Sequence, residues 1–290
     1  MSGPLSVTIG GVRLTAPVLP ASGTLGLGHH RVFDLGRLPA LVPKTVMPTA
    51  RGGHPAPRLV EAAGGIVNAI GIPSGGISAF IAQDLPRWTV FGPPVIVSVS
   101  AGTPDEFAAM VEALSTTAVA AVELNLSCPN LEEGGKAFAL DPHAVAAAVG
   151  ACAKAATVPL WAKLTPNAQE PAEPARAAAD AGAAALIAGN TLLAFPRDVA
   201  GAPVLANRTG GLSGPPIHPV ALRHVDEIAR ATPLPVIGCG GVRTLANAKA
   251  MMAAGASAVS VGSATLQRPS AMVDLIAQWE AEAMNRAAAE

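Results

Sequence analysis

The chain has 290 residues, half of them hydrophobic, and this length suits either two average domains or one (β/α)8 barrel. Only 13% of the residues are charged, and 19 basic side chains nearly balance 20 acidic ones. This composition excludes a disordered chain and a basic surface that binds nucleic acid. We also expect a cytoplasmic protein without a membrane segment, because no secretory signal opens the chain and no apolar run approaches the roughly 18 residues of a spanning helix.

Predicted strands and helices alternate after an N-terminal hairpin, which covers residues 6–14 and turns at Gly10-Gly11. Eight apolar runs are predicted strands: 17–23, 41–46, 95–100, 121–127, 160–165, 184–191, 235–241 and 258–264. Helices are predicted at 104–114, 142–155, 171–181, 219–231 and 245–254, and several of them begin at a proline. Strands that are apolar throughout are typical of a parallel sheet buried on both faces. Eight strand–helix units therefore predict a TIM barrel.

Two further segments complete the predicted architecture. A short apolar run at 67–72 is assigned to an insertion after the second strand, on the C-terminal face of the barrel. An Ala/Glu-rich helix is predicted from residue 271 onward. No composition shift or linker divides the chain, so residues 1–290 are expected to form a single domain.

Polar residues follow most of the predicted strands, and in a TIM barrel these positions line the C-terminal mouth, where function lies. Lys44 and Lys163 end apolar runs. A lysine is costly to bury without an anionic partner, so this pair predicts an anionic ligand. Gly240-Gly241 and Gly262-Ser263 follow the last two predicted strands, where barrels commonly bind a phosphate through backbone N–H groups.

The three cysteines have the spacing of neither a metal site nor a disulfide framework, so no metal is expected. Cys128 directly follows a strand, where a thiolate can act as a base or a nucleophile. Cys152 and Cys239 are interpreted as small packing residues. Four asparagines are expected around the mouth and favour a planar ligand rich in carbonyl and N–H groups. They are Asn68, Asn125, Asn130 and Asn190.

Six segments, spread in order over most of the chain, together resemble the class 1 dihydroorotate dehydrogenases, which are FMN-containing TIM barrels of pyrimidine biosynthesis. The segments are Asn68-Ala-Ile-Gly71, Asn125-Leu-Ser-Cys-Pro-Asn130, Ala162-Lys-Leu-Thr-Pro166, Asn190-Thr-Leu192, Ala206-Asn-Arg-Thr-Gly-Gly-Leu-Ser-Gly214 and Ile237–Gly241. The loop over residues 129–142 resembles the class 1B branch. That branch pairs the barrel with a second subunit that holds FAD and an iron–sulfur cluster and uses NAD.

The resemblance implies oxidation of (S)-dihydroorotate to orotate, in which Cys128 removes the C5 proton and the C6 hydride passes to FMN. It implies that Lys44 reaches both flavin and substrate and that Lys163 stabilises negative charge on the reduced flavin. The other implied FMN contacts are Ala21, Ser22, Thr45, Ser98, Asn125, Gly189, Gly214, Gly240, Gly241, Gly262 and Ser263. The implied substrate contacts are Lys44, Asn68, Ala69, Ile70, Gly71, Ile72, Asn125, Asn130, Asn190 and Thr191.

Two positions depart from the family pattern. Ser74 and Ser98 stand where the family usually has asparagine, so each polar side chain is shorter. Such changes are either neutral within a branch or alter the choice of substrate.

The resemblance also implies a homodimeric core that binds a flavin/iron–sulfur subunit. This chain supplies no Gly-x-Gly-x-x-Gly motif after a strand and too few cysteines for a cluster, so reoxidation of FMN by NAD requires a partner. Several alternatives remain open. They are a dihydropyrimidine dehydrogenase-like enzyme, a fumarate-linked homodimeric dihydroorotate dehydrogenase, an FMN-binding barrel without turnover, and a flavin-free phosphate-binding isomerase.

Overall fold

The computed structural model describes residues 3–62, 64–127 and 138–288. In chain order the strands are β1 (Val7–Ile9), β2 (Val12–Leu14), β3 (Val18–Pro20), β4 (Ala50–Arg51), β5 (Leu59–Ala62), β6 (Gly65–Asn68), β7 (Ser74–Gly75), β8 (Ile96–Val99), β9 (Ala121–Asn125), β10 (Leu160–Lys163), β11 (Ala185–Ala188), β12 (Leu192–Ala194), β13 (Gly210–Ser213), β14 (Val236–Cys239) and β15 (Ala258–Val261). The helices are α1 (Ile77–Ala79), α2 (Leu85–Thr89), α3 (Pro104–Ser115), α4 (Pro142–Ala155), α5 (Ala172–Asp180), α6 (His218–Ala231), α7 (Leu245–Ala253), α8 (Ser263–Gln267) and α9 (Ala271–Ala287).

A curled parallel sheet forms the centre of the fold. Its seven strands are hydrogen-bonded in the order β3-β15-β14-β11-β10-β9-β8. The segment over residues 41–46 lies beside β8 at the eighth position, where Leu41 bridges Val95 and Val46 bridges Val99 in parallel. With helices between successive strands, this is the predicted TIM-barrel α/β fold.

The prediction of a continuous strand over 41–46 is wrong, because this segment makes only the two isolated bridges. Pro43 lies between them and has no N–H to donate to a sheet, so the regular ladder is interrupted there. The interruption falls directly before Lys44 and Thr45, which are predicted site residues.

Alternate residues of the barrel strands point inward and outward. The outward residues pack with the helices in one apolar cluster. The inward residues form a second cluster that includes Ile96, Ala121 and Trp161. Nearer the C-terminal ends of the strands the buried interior becomes polar, with Ser98, Glu123, Asn125, Lys163 and Ser260. The barrel therefore has an apolar floor and a polar upper layer.

The predicted N-terminal hairpin is confirmed. Strands β1 and β2 are antiparallel, and both glycines of the turn have positive φ. Ile9 and Leu14 are fully buried within the inner apolar cluster. The indole Nε1 of Trp161 donates to the carbonyl of Gly10 at 3.5 Å, so the hairpin closes the floor of the barrel.

The predicted insertion contributes to a second, four-stranded sheet with the order β12-β13-β6-β5. Its central pairing joins β6 to β13 in antiparallel register, with Asn68 opposite Gly211. A small pair, β4 and β7, lies in the same insertion. The sheet therefore combines chain from after the second barrel position with chain from after β11.

The five predicted barrel helices are confirmed to within two residues at each end. Helix α3 begins with a capping box, in which Thr103 accepts from the N–H of Glu106 and the Glu106 carboxylate accepts from the N–H of Thr103. Among the helices within the described ranges, none is both long enough and apolar enough to span a bilayer.

Candidate active site

A buried cation lies at the C-terminal end of β10. The Lys163 side chain is 4% exposed, and its Nζ donates to Ser22 Oγ at 3.1 Å. Its charged neighbour is Glu123, also on the inner face, with 3.7 Å between Nζ and Oε1. Lys163 therefore lies between a carboxylate below it and the turn after β3 above it.

The second predicted lysine approaches the same turn. A Cβ placed on Gly23 would lie 3.0 Å from the Nζ of Lys44. Because Ser22 contacts Lys163 and Gly23 is next to Lys44, the predicted convergence of the two lysines is confirmed. Unlike Lys163, Lys44 is exposed.

Two of the predicted asparagines are joined by a serine. Ser127 Oγ donates to Asn125 Oδ1 at 2.8 Å and accepts a short hydrogen bond from Asn190 Nδ2. This network fixes both carboxamides relative to each other at the ends of β9 and β11, the two strands that flank β10. Asn68 lies at the end of β6, and its Nδ2 donates to the carbonyl of Gly211 at 3.3 Å.

Asn167 joins the loop after β10 to the chain that follows β11, although it was not among the predicted site residues. Its Nδ2 donates to the carbonyl of Thr191 at 3.1 Å, and its Oδ1 accepts from the N–H of Leu193 at 2.8 Å. These hydrogen bonds fix the backbone at Thr191. The Thr191 side chain lies so close to Gly211 that a Cβ at Gly211 would overlap with it. The sequence signal that was available is an asparagine directly after Pro166, beyond a predicted strand.

The glycine turns that follow β13, β14 and β15 converge on one another. A Cβ on Gly241 would lie 2.9 Å from the carbonyl oxygen of Gly214, and one on Gly214 would lie 3.5 Å from Ser263 Oγ. Gly189 has a φ of 122° and any Cβ there would collide with the carbonyl oxygen of Cys239, so only glycine fits. Gly240 also has positive φ, and its carbonyl is 3.0 Å from His218 Nδ1.

The remaining predicted flavin residues line the same end of the barrel. Ala21 donates its N–H to the carbonyl of Val261 at 2.9 Å, and a Cβ on Gly262 would lie 3.4 Å from that of Ala21. The hydroxyls of Thr45 and Ser98 are 3.0 Å apart and buried. The shorter side chain of Ser98 thus has its partner on the interrupted segment.

The loop over residues 68–72 has an unusual backbone. Gly71 and Ile72 both have positive φ, and a Cβ on Gly71 would clash with His54. His54 Nδ1 is 3.1 Å from the carbonyl of Ala69, while Ile70 and Ile72 follow on the same loop. The Ser74 hydroxyl accepts hydrogen bonds from the backbone N–H groups of Met47 and Gly76, both at 3.1 Å, so it joins its own turn to the segment after Thr45.

Cys128 and Asn130 lie outside the described residues, so their predicted roles stay predictions. Cys152 and Cys239 are confirmed as buried. Burial raises the pKa of the Cys152 thiol to about 12. Burial also raises the pKa of Cys239, and the nearby Lys163 partly opposes that shift. Both thiols are therefore protonated and unreactive at neutral pH.

Comparison with known proteins identifies related chains along most of the length. A family model described as dihydroorotate dehydrogenase matches residues 4–283. The catalytic subunit of dihydroorotate dehydrogenase B (NAD(+)) from Trichlorobacter lovleyi is 44% identical over 285 residues, covering 96% of this chain and 94% of that one. The protein of the same name from Listeria monocytogenes is 39% identical, with 94% and 91% covered.

A solved structure supports the fold independently. The crystal structure of DHODH in complex with ferulenol from Eimeria tenella superimposes with a TM-score of 0.74. It covers 94% of this chain and 83% of the other at 21% identity. At that identity the similarity concerns the barrel architecture.

Proposed function

The chain belongs to the dihydroorotate dehydrogenase family, and we propose that its barrel mouth oxidises (S)-dihydroorotate to orotate with FMN as the bound hydride acceptor. The observation that carries this assignment is the convergence of Lys163, the Asn125–Ser127–Asn190 network and three glycine turns at one end of the barrel. No other part of the described chain groups a buried cation with aligned carboxamides in this way.

The residues present fit FMN. Gly214, Gly241 and Ser263 approach one another so closely that a side chain added at either glycine would fill the space between their turns. Because the glycines leave this space open, the backbone N–H groups of the turns can bind a phosphate there. Lys163 would supply a buried positive charge to the flavin ring system. When bound, FMN supplies the two-electron acceptor for the hydride that leaves C6 of the substrate.

The substrate is a cyclic anion with ring carbonyl and N–H groups, and its ring becomes planar when the C5=C6 double bond forms. Asn125 and Asn190 are held by Ser127 so that their remaining donors and acceptors can be offered to such a ring. Asn68, the loop from Ala69 to Ile72, Thr191 and Lys44 are proposed to complete the substrate site. Fixing these groups before binding lowers the entropic cost of reaching the reactive geometry.

Cys128 is proposed as the general base. Its thiolate takes the C5 proton, C6 loses hydride, and the electron pair from the C5–H bond forms the C5=C6 double bond of orotate. Asn130 is proposed to contact the ring beside it. Cys152 and Cys239 cannot substitute as the base, because burial keeps both thiols protonated.

The first prediction is that the purified chain binds one FMN non-covalently and that anaerobic dihydroorotate bleaches its flavin absorbance. The matched control is dihydrouracil, which lacks the carboxylate and is expected to reduce the flavin far more slowly. A chain that shows no flavin absorbance even after incubation with FMN would contradict the proposal. Faster bleaching by dihydrouracil would instead favour a dihydropyrimidine dehydrogenase-like activity.

We further propose that the chain forms a homodimeric core that binds a second subunit carrying FAD and an iron–sulfur cluster. The relatives that support this are named catalytic subunits of NAD(+)-dependent enzymes. We also propose a cytoplasmic location, because the NAD that the partner would reduce is a cytoplasmic nucleotide.

The second prediction follows from the proposal that this chain oxidises dihydroorotate and that the second subunit reduces NAD. With dihydroorotate, the isolated chain should reduce artificial dyes but neither NAD nor fumarate, and adding the electron-transfer subunit should confer NAD reduction. Steady-state assays of the chain with and without its partner measure this. Efficient reduction of NAD or fumarate by the isolated chain would indicate a self-sufficient enzyme.

A further inference from the structure

A buried carboxylate lies below the proposed flavin site and has no assigned role. Glu123 is the third residue of β9 and its side chain is 3% exposed. Its Oε1 has no hydrogen-bond partner among the described residues, and the nearest cation, Lys163 Nζ, is 3.7 Å away. An unsatisfied carboxylate oxygen in a barrel interior is costly, so its retention there calls for a compensating interaction.

The strand register explains why this carboxylate faces Lys163. Glu123 is paired with Ser98 on one side and with Trp161 on the other, while Lys163 is one inward-facing position higher and paired with Asn125. The carboxylate is therefore directly beneath the ammonium group, with the apolar floor below it. In this low-dielectric layer, Coulomb interactions extend further than they do at the protein surface.

We propose that Glu123 is a positioning residue that acts through Lys163 and sets the net charge below the flavin. Its carboxylate holds the Lys163 ammonium group within hydrogen-bonding distance of Ser22. Its negative charge also offsets part of the electrostatic field that Lys163 exerts on the cofactor. The proposal rests on the proposed FMN site. Reduced flavin carries additional negative charge, so the carboxylate should disfavour the reduced form and lower its midpoint potential.

The test is the midpoint potential of bound FMN, measured by equilibration with redox dyes in the isolated chain. Glu123→Gln retains the size of the side chain but removes its charge. We expect reduced FMN to be favoured about tenfold relative to wild type, which is a positive shift of about 30 mV for two electrons. Glu123→Asp keeps the charge but places it one methylene farther from Lys163, so it should give a smaller shift of the midpoint potential with the same sign.

Glu112→Gln is the matched control, because it removes one carboxylate from an exposed position of α3 and should leave the potential unchanged. An unchanged or more negative potential in Glu123→Gln would overturn the proposal. If that variant does not fold, the same outcome in Glu123→Asp would overturn it. Failure of the wild-type chain to bind FMN contradicts the proposed function itself and is observed before any variant is compared.

Discussion

Replacing Cys128 by alanine is expected to slow the reduction of bound FMN by dihydroorotate by about 10²–10⁴-fold, the usual contribution of a positioned general base. Flavin absorbance in an anaerobic stopped-flow instrument measures this step without the partner subunit. The wild-type rate should also rise with pH as the thiol ionises, near the free-cysteine pKa of about 8.5 or below. Cys128→Ser should remain slow near neutral pH, because an alcohol is a far weaker base than a thiolate.

Cys152→Ala provides the control for this experiment. It removes a thiol that is fully buried on α4, and burial keeps that thiol protonated, so the rate of flavin reduction should not change. Rapid flavin reduction in Cys128→Ala would exclude Cys128 as the base. A reduced rate in both cysteine variants would point to a general loss of structure.

Lys163→Met should lower the free energy of unfolding of the apoprotein by about 3–5 kcal/mol, because it leaves Glu123 as a buried charge without a partner. The double variant Lys163→Met/Glu123→Gln should recover most of that stability, since both buried charges are then removed. Urea unfolding without FMN measures this difference, because bound cofactor would add its own stabilisation. Both variants should bind FMN more weakly than wild type, since both lack the cation.

An exposed lysine on α4 serves as the reference. Lys154→Met should change the unfolding free energy by less than about 0.5 kcal/mol, as is usual for a surface substitution. If Lys163→Met unfolds at the same urea concentration as wild type, Glu123 and Lys163 are not coupled. If the double variant is less stable than Lys163→Met, the carboxylate has another stabilising partner.

The sequence predicted the barrel well because its strands are buried on both faces and are apolar along their whole length. The end of each apolar run marked the mouth, and this located Lys163, Asn125 and Asn190 correctly. Glu123 was missed because it is one acidic residue inside such a run, and only the pairing register shows that it faces Lys163. Asn167 was missed because its partners belong to the next loop of the chain.

The four-stranded sheet at the mouth was not predicted as a unit. Strand β13 contains Gly210-Gly211, which gives no β-propensity signal, and its partner β6 lies more than 140 residues earlier. The loop at 41–46 shows the converse case, in which an apolar run looks like a strand but Pro43 interrupts the ladder. Local composition therefore identified the barrel but not the long-range pairings that complete the site.

The pairing of β6 with β13 has a consequence for engineering this enzyme. The proposed substrate loop begins at Asn68, at the end of β6, and β6 pairs with β13. Strand β13 leads directly to Gly214, one of the residues proposed to surround the FMN phosphate. In a chimera that takes residues 50–76 from another enzyme, the imported β6 would have to pair with the β13 of this chain, with which it did not evolve. Grafts intended to change substrate preference should therefore exchange residues 50–76 and 190–214 together, as one inherited unit.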